Sequence, residues 1–246
     1  MKVVDQILIF DVDGVITNPQ EKKVTEPEIL NEIIRRLKRE EIIALNTGRS
    51  IEWVKNRVLK LLIEKVKGEK ILQNLLTVGE KGGTWAEFDN QGNLIENKDE
   101  NISVPNSLKS EVRNVINNKY SDSMFYDESK LTMISTEMKD GHSRKDYKKK
   151  QSTLSTDLKS LLTDKNLADK FKIDPTTIAT DIENIFVGKN FSVKRIVEWV
   201  KKKGIKPQGY MAFGDSFRSD IPMAEELHAQ RFPVEFIYVG EEKIDA

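Results

Sequence analysis

The stretch that decides the fold is Gln6-Ile7-Leu8-Ile9-Phe10, followed at once by Asp11-Val12-Asp13-Gly14. A short apolar run without alternation is typical of a β-strand buried on both faces of a parallel sheet. The run ends in two aspartates and a glycine, so the backbone turns where carboxylates gather. In open parallel sheets, ligands bind just beyond the carboxyl ends of the strands. This stretch therefore predicts both the first strand of an α/β sheet and one wall of a binding crevice.

An alternation of strands and helices extends outward from this stretch. Apolar spacing predicts helices over 26–40 and 51–66, and Thr25-Glu26-Pro27-Glu28 predicts a capping box at the start of the first. Two further buried strands are predicted over 42–45 and 75–78. The alternation returns near the other end of the chain, where the predicted elements are a helix over 191–203, a strand over 210–213, a helix over 222–227 and a strand over 235–239.

The middle of the chain has a different pattern. A turn at Asn90-Gln91-Gly92-Asn93 predicts a hairpin of strands over 84–88 and 94–95. Helices over 106–120 and 144–162 and strands over 131–135, 176–179 and 182–187 are predicted after it. We therefore predict a Rossmann-like α/β parallel-sheet core over 1–81 and 188–246, split by an inserted α+β domain over 82–187.

Composition excludes several classes of protein. The 246 residues carry 40 basic and 40 acidic side chains, a balance that argues against a dedicated nucleic-acid binder. The chain has no cysteine and two histidines, so thiolate sites and histidine-built zinc sites are excluded. The absence of cysteine, of a signal-peptide pattern and of a long apolar stretch predicts a cytoplasmic protein without a membrane span. Its chemistry must use carboxylates, hydroxyls and lysines.

Four polar clusters follow predicted strands. They are Asp11-Val12-Asp13-Gly14, Asn46-Thr47-Gly48-Arg49, Gly188-Lys189 and Gly214-Asp215-Ser216, with Asp220 five residues beyond Asp215. If the strands are neighbours, all four clusters face one crevice.

The residue types in these clusters suit phosphoryl chemistry. A carboxylate can attack phosphorus, and a neighbouring one can donate and accept the proton. Clustered carboxylates without histidine or cysteine favour a hard cation, Mg²⁺ above all when phosphate supplies a further ligand. The Thr47 hydroxyl and the Gly48 amide can hold phosphoryl oxygens, and Lys189 can offset their charge.

In these four motifs the chain resembles the haloacid dehalogenase superfamily of aspartate-nucleophile phosphohydrolases. The motifs occur in family order, and the Thr47-Gly48-Arg49 form and the long insert resemble the branch with sucrose-phosphatase, trehalose-phosphatase and phosphomannomutase (subfamily IIB). Gly79-Glu80-Lys81-Gly82-Gly83 stands where that branch has Glu-Asn-Gly. Three departures, Lys81, Asn190 and Ser219, touch the substrate side of the predicted site.

The resemblance implies a role for each motif residue. Asp11 would be the nucleophile and Asp13 the general acid and base. Thr47, Gly48, Arg49 and Lys189 would bind the phosphoryl group. Asp11, the Asp13 carbonyl and Asp215 would hold Mg²⁺, supported by Ser216 and by Asp220, which would anchor either Lys189 or a metal-bound water.

Together these features predict a Mg²⁺-dependent phosphatase of a small phosphorylated metabolite, a sugar or polyol phosphate, with the insert as its cap. Two alternatives stay open: a phosphomutase on the same fold, and a catalytically silent protein that binds a phospho-ligand. The sequence identifies neither the substrate nor the oligomeric state.

Overall fold

A computed structural model describes residues 2–67 and 69–240 and divides the chain into two units, residues 1–97 with 187–246 and residues 98–186. The strands in chain order are β1 (Lys2–Phe10), β2 (Ile42–Asn46), β3 (Leu75–Gly79), β4 (Thr84–Phe88), β5 (Leu94–Lys98), β6 (Met124–Tyr126), β7 (Ile134–Met138), β8 (Phe171–Pro175), β9 (Ala179–Asn184), β10 (Ile205–Gly214) and β11 (Val234–Tyr238). The helices are α1 (Pro27–Lys38), α2 (Ile51–Val54), α3 (Lys60–Val66), α4 (Asn106–Val115), α5 (Arg144–Asp164), α6 (Lys189–Lys202) and α7 (Phe217–Ala229).

The larger unit is built on a seven-stranded sheet in the order β11-β10-β1-β2-β3-β4-β5. Strands β11, β10, β1, β2 and β3 are parallel, and β4 runs antiparallel to β3. One apolar core packs α6 and α7 on one face of this sheet, and a second core packs α1, α2 and α3 on the other. Burial on both faces explains why β1, β2 and β3 have continuous apolar runs.

The smaller unit has a four-stranded antiparallel sheet in the order β6-β7-β9-β8. Its core joins one face of the sheet to α4 and α5, through residues such as Leu108, Tyr147 and Ile182. Side chains alternate along a strand, so Asp181 and Glu183, on either side of Ile182, point to the opposite face. The predicted fold class, an α/β parallel-sheet core with an inserted α+β unit, is confirmed.

The boundaries of the insert differ from the prediction of 82–187. The hairpin strands β4 and β5 continue the main sheet beyond β3, so the smaller unit begins at Lys98 and ends at Phe186. The hairpin has few residues between its strands, but its pairing with β3 is a contact between separate elements that a local pattern does not encode. Met1 and residues 241–246 of the predicted core lie outside the described residues.

Strand assignments in the insert were the least accurate. The predicted strand over 176–179 is mostly a turn between β8 and β9, and β6 was not predicted. The predicted strand over 182–187 is β9, which ends at Asn184; Ile185 and Phe186 are exposed beyond it. Lys189 therefore follows a turn and begins α6, and it does not follow a strand of the main sheet.

Two helices also differ in detail from the helices predicted from the sequence. Glu26, not Thr25, is the N-cap of α1, and no side chain caps it; Pro27 occupies the first turn, where its missing N–H leaves no hydrogen bond unmade. The predicted helix over 51–66 is continuous but contains a π-helical turn at Lys55–Leu59 between α2 and α3. Within the residues that the structure covers, every helix is too short or too polar to span a bilayer.

Candidate active site

Asp11 and Asp13 lie in the turn that follows β1. The Asp11 N–H donates to the Phe213 carbonyl at 2.9 Å and so joins the ends of β1 and β10. The Gly14 N–H donates to the Thr17 carbonyl at 2.8 Å, and Gly14 has a φ of +79°, which residues with a Cβ rarely adopt. The backbone alone therefore holds both aspartates at the carboxyl edge of the sheet.

The loop after β10 approaches this turn so closely that only glycine fits at two positions. A Cβ on Gly14 would lie 1.9 Å from Oδ2 of Asp215, and a Cβ on Gly214 would lie 2.4 Å from the Cβ of Asp220. The two glycines allow three carboxylates to gather. One oxygen from each of Asp11, Asp215 and Asp220 lies within 4.8 Å of the others.

Lys189 reaches this carboxylate cluster from the start of α6. Its Nζ lies 2.7 Å from Oδ1 of Asp11 and also donates to Oδ1 of Asp220. All three side chains are almost completely buried. Removing the lysine, the one cation of this group, would leave buried carboxylates without a counter-charge, which is strongly destabilising. The ion pairs therefore fix the lysine in one position.

Burial changes the proton affinity of these groups. Burial raises the pKa of Asp11 to about 7, although attraction to Lys189 favours its charged form. Burial also raises the pKa of Asp215, and repulsion from Asp220 adds to the shift. For Lys189, attraction to the two carboxylates outweighs burial, so its pKa is raised and its ammonium stays charged. The cluster thus has more negative charge than one lysine offsets.

Asp13 has a different environment from Asp11. The Arg49 guanidinium holds it through two contacts of 3.1 Å, from Nε to Oδ2 and from Nη2 to Oδ1. The centre of the guanidinium also lies 4.9 Å from the middle of the Trp53 ring, a cation–π distance. The Asp13 side chain is 29% exposed, against 7% for Asp11, so Asp13 is the carboxylate that faces open space.

Thr47 and Gly48 lie in the turn between β2 and α2. The Thr47 N–H donates to the Val78 carbonyl at 3.0 Å, and the Thr47 hydroxyl accepts from the Arg49 N–H at 3.1 Å. Because β2 is the parallel neighbour of β1, this turn lies at the same edge of the sheet as Asp11. The Thr47 hydroxyl therefore lies at the same edge of the sheet as the carboxylates.

The carboxylate cluster fits Mg²⁺. Carboxylate oxygens are the ligands that Mg²⁺ prefers, and one oxygen of each of Asp11, Asp215 and Asp220 lies within 4.8 Å of the others. Both oxygens of Asp220 already accept hydrogen bonds, from Lys189 and from the Ser216 N–H at 3.0 Å. Asp11 and Asp215 are therefore the side chains suited to the ion, and burial raises the pKa of both.

The structure brings most of the predicted site residues to one edge of the main sheet. Asp220 forms an ion pair with Lys189. Ser216 is the N-cap of α7 and accepts from the Ser219 N–H at 3.4 Å. The catalytic and ligand roles of the site residues stay predictions.

Two further residues lie near the site, and no role was predicted for either. Asn46 is fully buried at the end of β2, and its Nδ2 donates to the Lys189 carbonyl at 3.2 Å, which fixes the start of α6. An asparagine that ends an apolar strand is the signal that could have indicated this role. Lys81 lies against Gly48, in a segment whose flanking glycines indicate unusual backbone geometry.

No protein-family model and no curated protein sequence matches the chain. Solved structures do. An IMP-nucleotidase of Plasmodium falciparum matches with a TM-score of 0.63 at 15% identity, over 96% of this chain and 65% of that one. The chain therefore spans less than two thirds of the length of that protein.

Two other structures have a similar length. A trehalose-6-phosphate phosphatase of Aspergillus fumigatus matches with a TM-score of 0.57 at 15% identity, over 98% of this chain and 85% of that one. A haloacid dehalogenase-like hydrolase of Bacteroides thetaiotaomicron matches with a TM-score of 0.63 at 11% identity, over 91% of this chain and 86% of that one. At such low identity these matches establish the fold. The chain has the fold of the haloacid dehalogenase-like hydrolases, as the four sequence motifs predicted.

Proposed function

We propose that this protein is a Mg²⁺-dependent phosphatase that hydrolyses the phosphate monoester of a small metabolite through an aspartyl-phosphate intermediate. One observation carries the proposal: Asp11 contacts Lys189 at 2.7 Å within a cluster of carboxylates, and Asp13 stands two residues away with a more exposed side chain. These are the groups that in-line phosphoryl transfer to a carboxylate requires.

Asp11 suits the role of nucleophile. In the first step its carboxylate oxygen forms a bond to phosphorus while the bond from phosphorus to the leaving oxygen breaks. The Lys189 ammonium offsets charge on the phosphoryl oxygens, and the Thr47 hydroxyl and the Gly48 amide donate to them. The raised pKa of Asp11 means that its charged, nucleophilic form needs further positive charge.

Asp13 suits the role of general acid and base. Its carboxyl group donates a proton to the leaving oxygen in the first step. In the second step it takes a proton from the water that attacks phosphorus, so that inorganic phosphate leaves and Asp11 is restored. The more exposed position of Asp13 lets one group contact both the leaving oxygen and the incoming water.

Asp11, Asp215 and the Asp13 carbonyl are the groups that would hold Mg²⁺. When bound, the ion supplies Lewis-acid stabilisation of phosphoryl charge and favours the charged form of Asp11. Asp220 orients Lys189 and the first turn of α7 by accepting from both.

For the substrate we propose a sugar or polyol phosphate. Support comes from the similarity to a trehalose-6-phosphate phosphatase and from the Thr-Gly-Arg form of the second motif. We further propose that residues 98–186 form a cap that selects the leaving group, and that the protein acts on cytoplasmic metabolites, because it has no cysteine.

A phosphate-release assay tests this function. Purified protein is supplied with sugar, polyol and nucleoside monophosphates, with Mg²⁺ or with EDTA, and without any bisphosphate activator. We expect release that requires Mg²⁺ and falls at least about a thousandfold in Asp11→Asn. Asp5→Asn, an exposed aspartate earlier on β1, is the matched control and should retain turnover.

A wild-type rate of phosphate release in Asp11→Asn would refute the assignment of Asp11 as the nucleophile. Isomerisation of a sugar monophosphate that requires a bisphosphate and releases no inorganic phosphate would instead indicate a phosphomutase.

A further inference from the structure

The side chain of Asp13, the proposed general acid, is held by an arginine. The backbone of its turn is fixed, since the Gly14 N–H donates to the Thr17 carbonyl at 2.8 Å. The Asp13 side chain is 29% exposed, so solvent leaves room for it to rotate. Arg49 restricts this rotation, because its Nε donates to Oδ2 and its Nη2 to Oδ1, both at 3.1 Å. Paired contacts of this kind between a guanidinium and a carboxylate are strong and directional.

The backbone of Arg49 is fixed as well, just before α2. Its N–H donates to the Thr47 hydroxyl at 3.1 Å, and its carbonyl accepts from the Glu80 N–H at 2.9 Å. An arginine side chain on a fixed backbone still has several rotatable bonds, and ordering them costs conformational entropy. A contact that limits these rotations therefore helps to keep the guanidinium at Asp13.

Trp53 makes such a contact from the first turn of α2. The centre of the Arg49 guanidinium lies 4.9 Å from the middle of the Trp53 ring, within the range of a cation–π attraction. The Trp53 N–H donates to the Ser50 hydroxyl at 3.1 Å, and the half-buried ring packs against the core that contains Val54. The ring is thus a fixed platform for the guanidinium.

The contacts of Arg49 with Trp53 and with Asp13 are compatible. Attraction to the ring acts on the delocalised charge of the guanidinium, while Nε and Nη2 both donate to Asp13. When one oxygen of Asp13 carries a proton, the other oxygen can still accept from Arg49. Arg49 can therefore orient Asp13 while Asp13 acts as an acid.

We propose that Trp53 is a positioning residue for Asp13, acting through Arg49, and that it accelerates the reaction of esters whose leaving oxygen needs a proton. This inference rests on the proposed phosphatase function. In the first step an Asp11 oxygen forms a bond to phosphorus. The bond from phosphorus to the leaving oxygen breaks, its electron pair stays on that oxygen, and the Asp13 proton is transferred to it. A misplaced Asp13 would leave negative charge on the departing oxygen and slow the step.

A pair of esters with different leaving groups tests the proposal. 4-Nitrobenzyl phosphate releases a strongly basic alkoxide that needs a proton, whereas 4-nitrophenyl phosphate releases a weakly basic phenolate that does not. The measured quantity is kcat/KM for the phenyl ester divided by kcat/KM for the benzyl ester. We expect this ratio to rise about tenfold in Trp53→Leu, because kcat for the benzyl ester falls. Trp53→Phe keeps an aromatic face and should stay within about threefold of the wild-type ratio.

A control separates positioning from stability. Trp199 lies near the other end of α6, with its ring centre 4.8 Å from Nζ of Lys203, and it is buried in the core of the same unit. Trp199→Leu therefore removes the same side chain from another cation–π contact and should leave the ratio at its wild-type value. Thermal unfolding shows that each variant is folded at the temperature of the assay.

The outcomes distinguish this inference from the proposed function. Absence of phosphate release from both esters and from every metabolite in wild type would refute the phosphatase and the role of Trp53 together. Release by wild type from the phenyl ester but not from the benzyl ester would show that no general acid acts, and would refute the role of Trp53 alone. An unchanged ratio in Trp53→Leu, including an equal fall of both kcat/KM values, would reduce Trp53 to a packing residue and overturn the inference.

Discussion

Among the residues that the structure describes, two clusters of three carboxylates occur, one in each unit. In the main unit Asp11, Asp215 and Asp220 have oxygens within 4.8 Å of one another, and Asp174, Asp181 and Glu183 satisfy the same distance in the smaller unit. The first cluster is formed by the turn after β1, the loop after β10 and the first turn of α7, and two of its acids contact the buried Lys189. The second lies across the paired strands β8 and β9, where Asp174 is directly opposite Asp181.

The partners of the two clusters differ as well. In the smaller unit, Asp181 accepts from the Ser135 hydroxyl at 2.7 Å, and Glu183 lies 3.4 Å from the half-exposed Lys172. Strand register alone brings these acids together. The comparison teaches that proximity of carboxylates does not define a reactive site. What distinguishes the first cluster is its cation: Lys189 is almost completely buried between two carboxylates, whereas Lys172 is half-exposed.

Replacing the lysine of each cluster should give the largest difference between them. We expect Lys189→Met to lower the rate of phosphate release about a thousandfold or more, because charge on the phosphoryl group would lose its nearest cation. Lys172→Met is the matched change in the second cluster, and its rate of phosphate release should stay within about fivefold of the wild-type rate. Equal losses in the two variants would contradict the assignment of the site to the first cluster.

Replacing one acid in each cluster tests the metal. Asp215→Asn should weaken the apparent affinity for Mg²⁺ by at least about tenfold, because it removes a charged ligand. Asp174→Asn removes one charge from the second cluster and should leave that affinity unchanged. Isothermal titration of EDTA-treated protein with MgCl₂ measures both. Loss of Mg²⁺ binding in Asp174→Asn would relocate the metal site to the smaller unit.

The pH dependence of stability should show the raised pKa of Asp11 directly. The ordinary pKa of an aspartate is 3.8, and the pKa of folded Asp11 is about 7. At a pH between these two values, folded Asp11 keeps a proton that the unfolded chain has released. Folding stability in EDTA should therefore fall as pH rises through this window. Asp11→Asn lacks this group, so its free energy of unfolding should exceed that of wild type by at least about 1 kcal/mol at pH 8 and should approach the wild-type value near pH 4.

Urea unfolding at a series of pH values measures this difference. Asp5→Asn, on the same strand and exposed, should follow wild type throughout. A variant Asp11→Asn that is less stable than wild type at pH 8 would show that the ion pair with Lys189 outweighs burial.

The main sheet was the more predictable part of the molecule, for a physical reason. Parallel strands buried on both faces need continuous apolar runs, and their loops must hold the ligand, so β1, β2 and β10 and their polar clusters are visible in local sequence. Lys189 was identified by its motif, although the strand predicted before it is an exposed turn at Ile185 and Phe186.

Features that depend on distant contacts were not predictable in this way. The hairpin of β4 and β5 pairs with β3, and this contact between separate elements places the boundary of the insert at Lys98. The ion pair of Asp13 with Arg49 and the hydrogen bond from Asn46 to the Lys189 carbonyl join residues far apart in the chain. In the smaller unit, one face of the sheet is polar and the strands are short, so β6 and β8 lack a distinctive pattern.

The close approach of Gly14 to Asp215 has a consequence for how the site acquires its charge. The backbone of the β1 turn occupies the space that a side chain would need, so it determines the position of the neighbouring carboxylate before any ligand arrives. Mutual repulsion of the acids is overcome by the folding of the sheet. If the protein is the metal-dependent phosphatase proposed above, an incoming cation would meet carboxylates that are already in position, and its binding energy would not be spent on rearranging the chain.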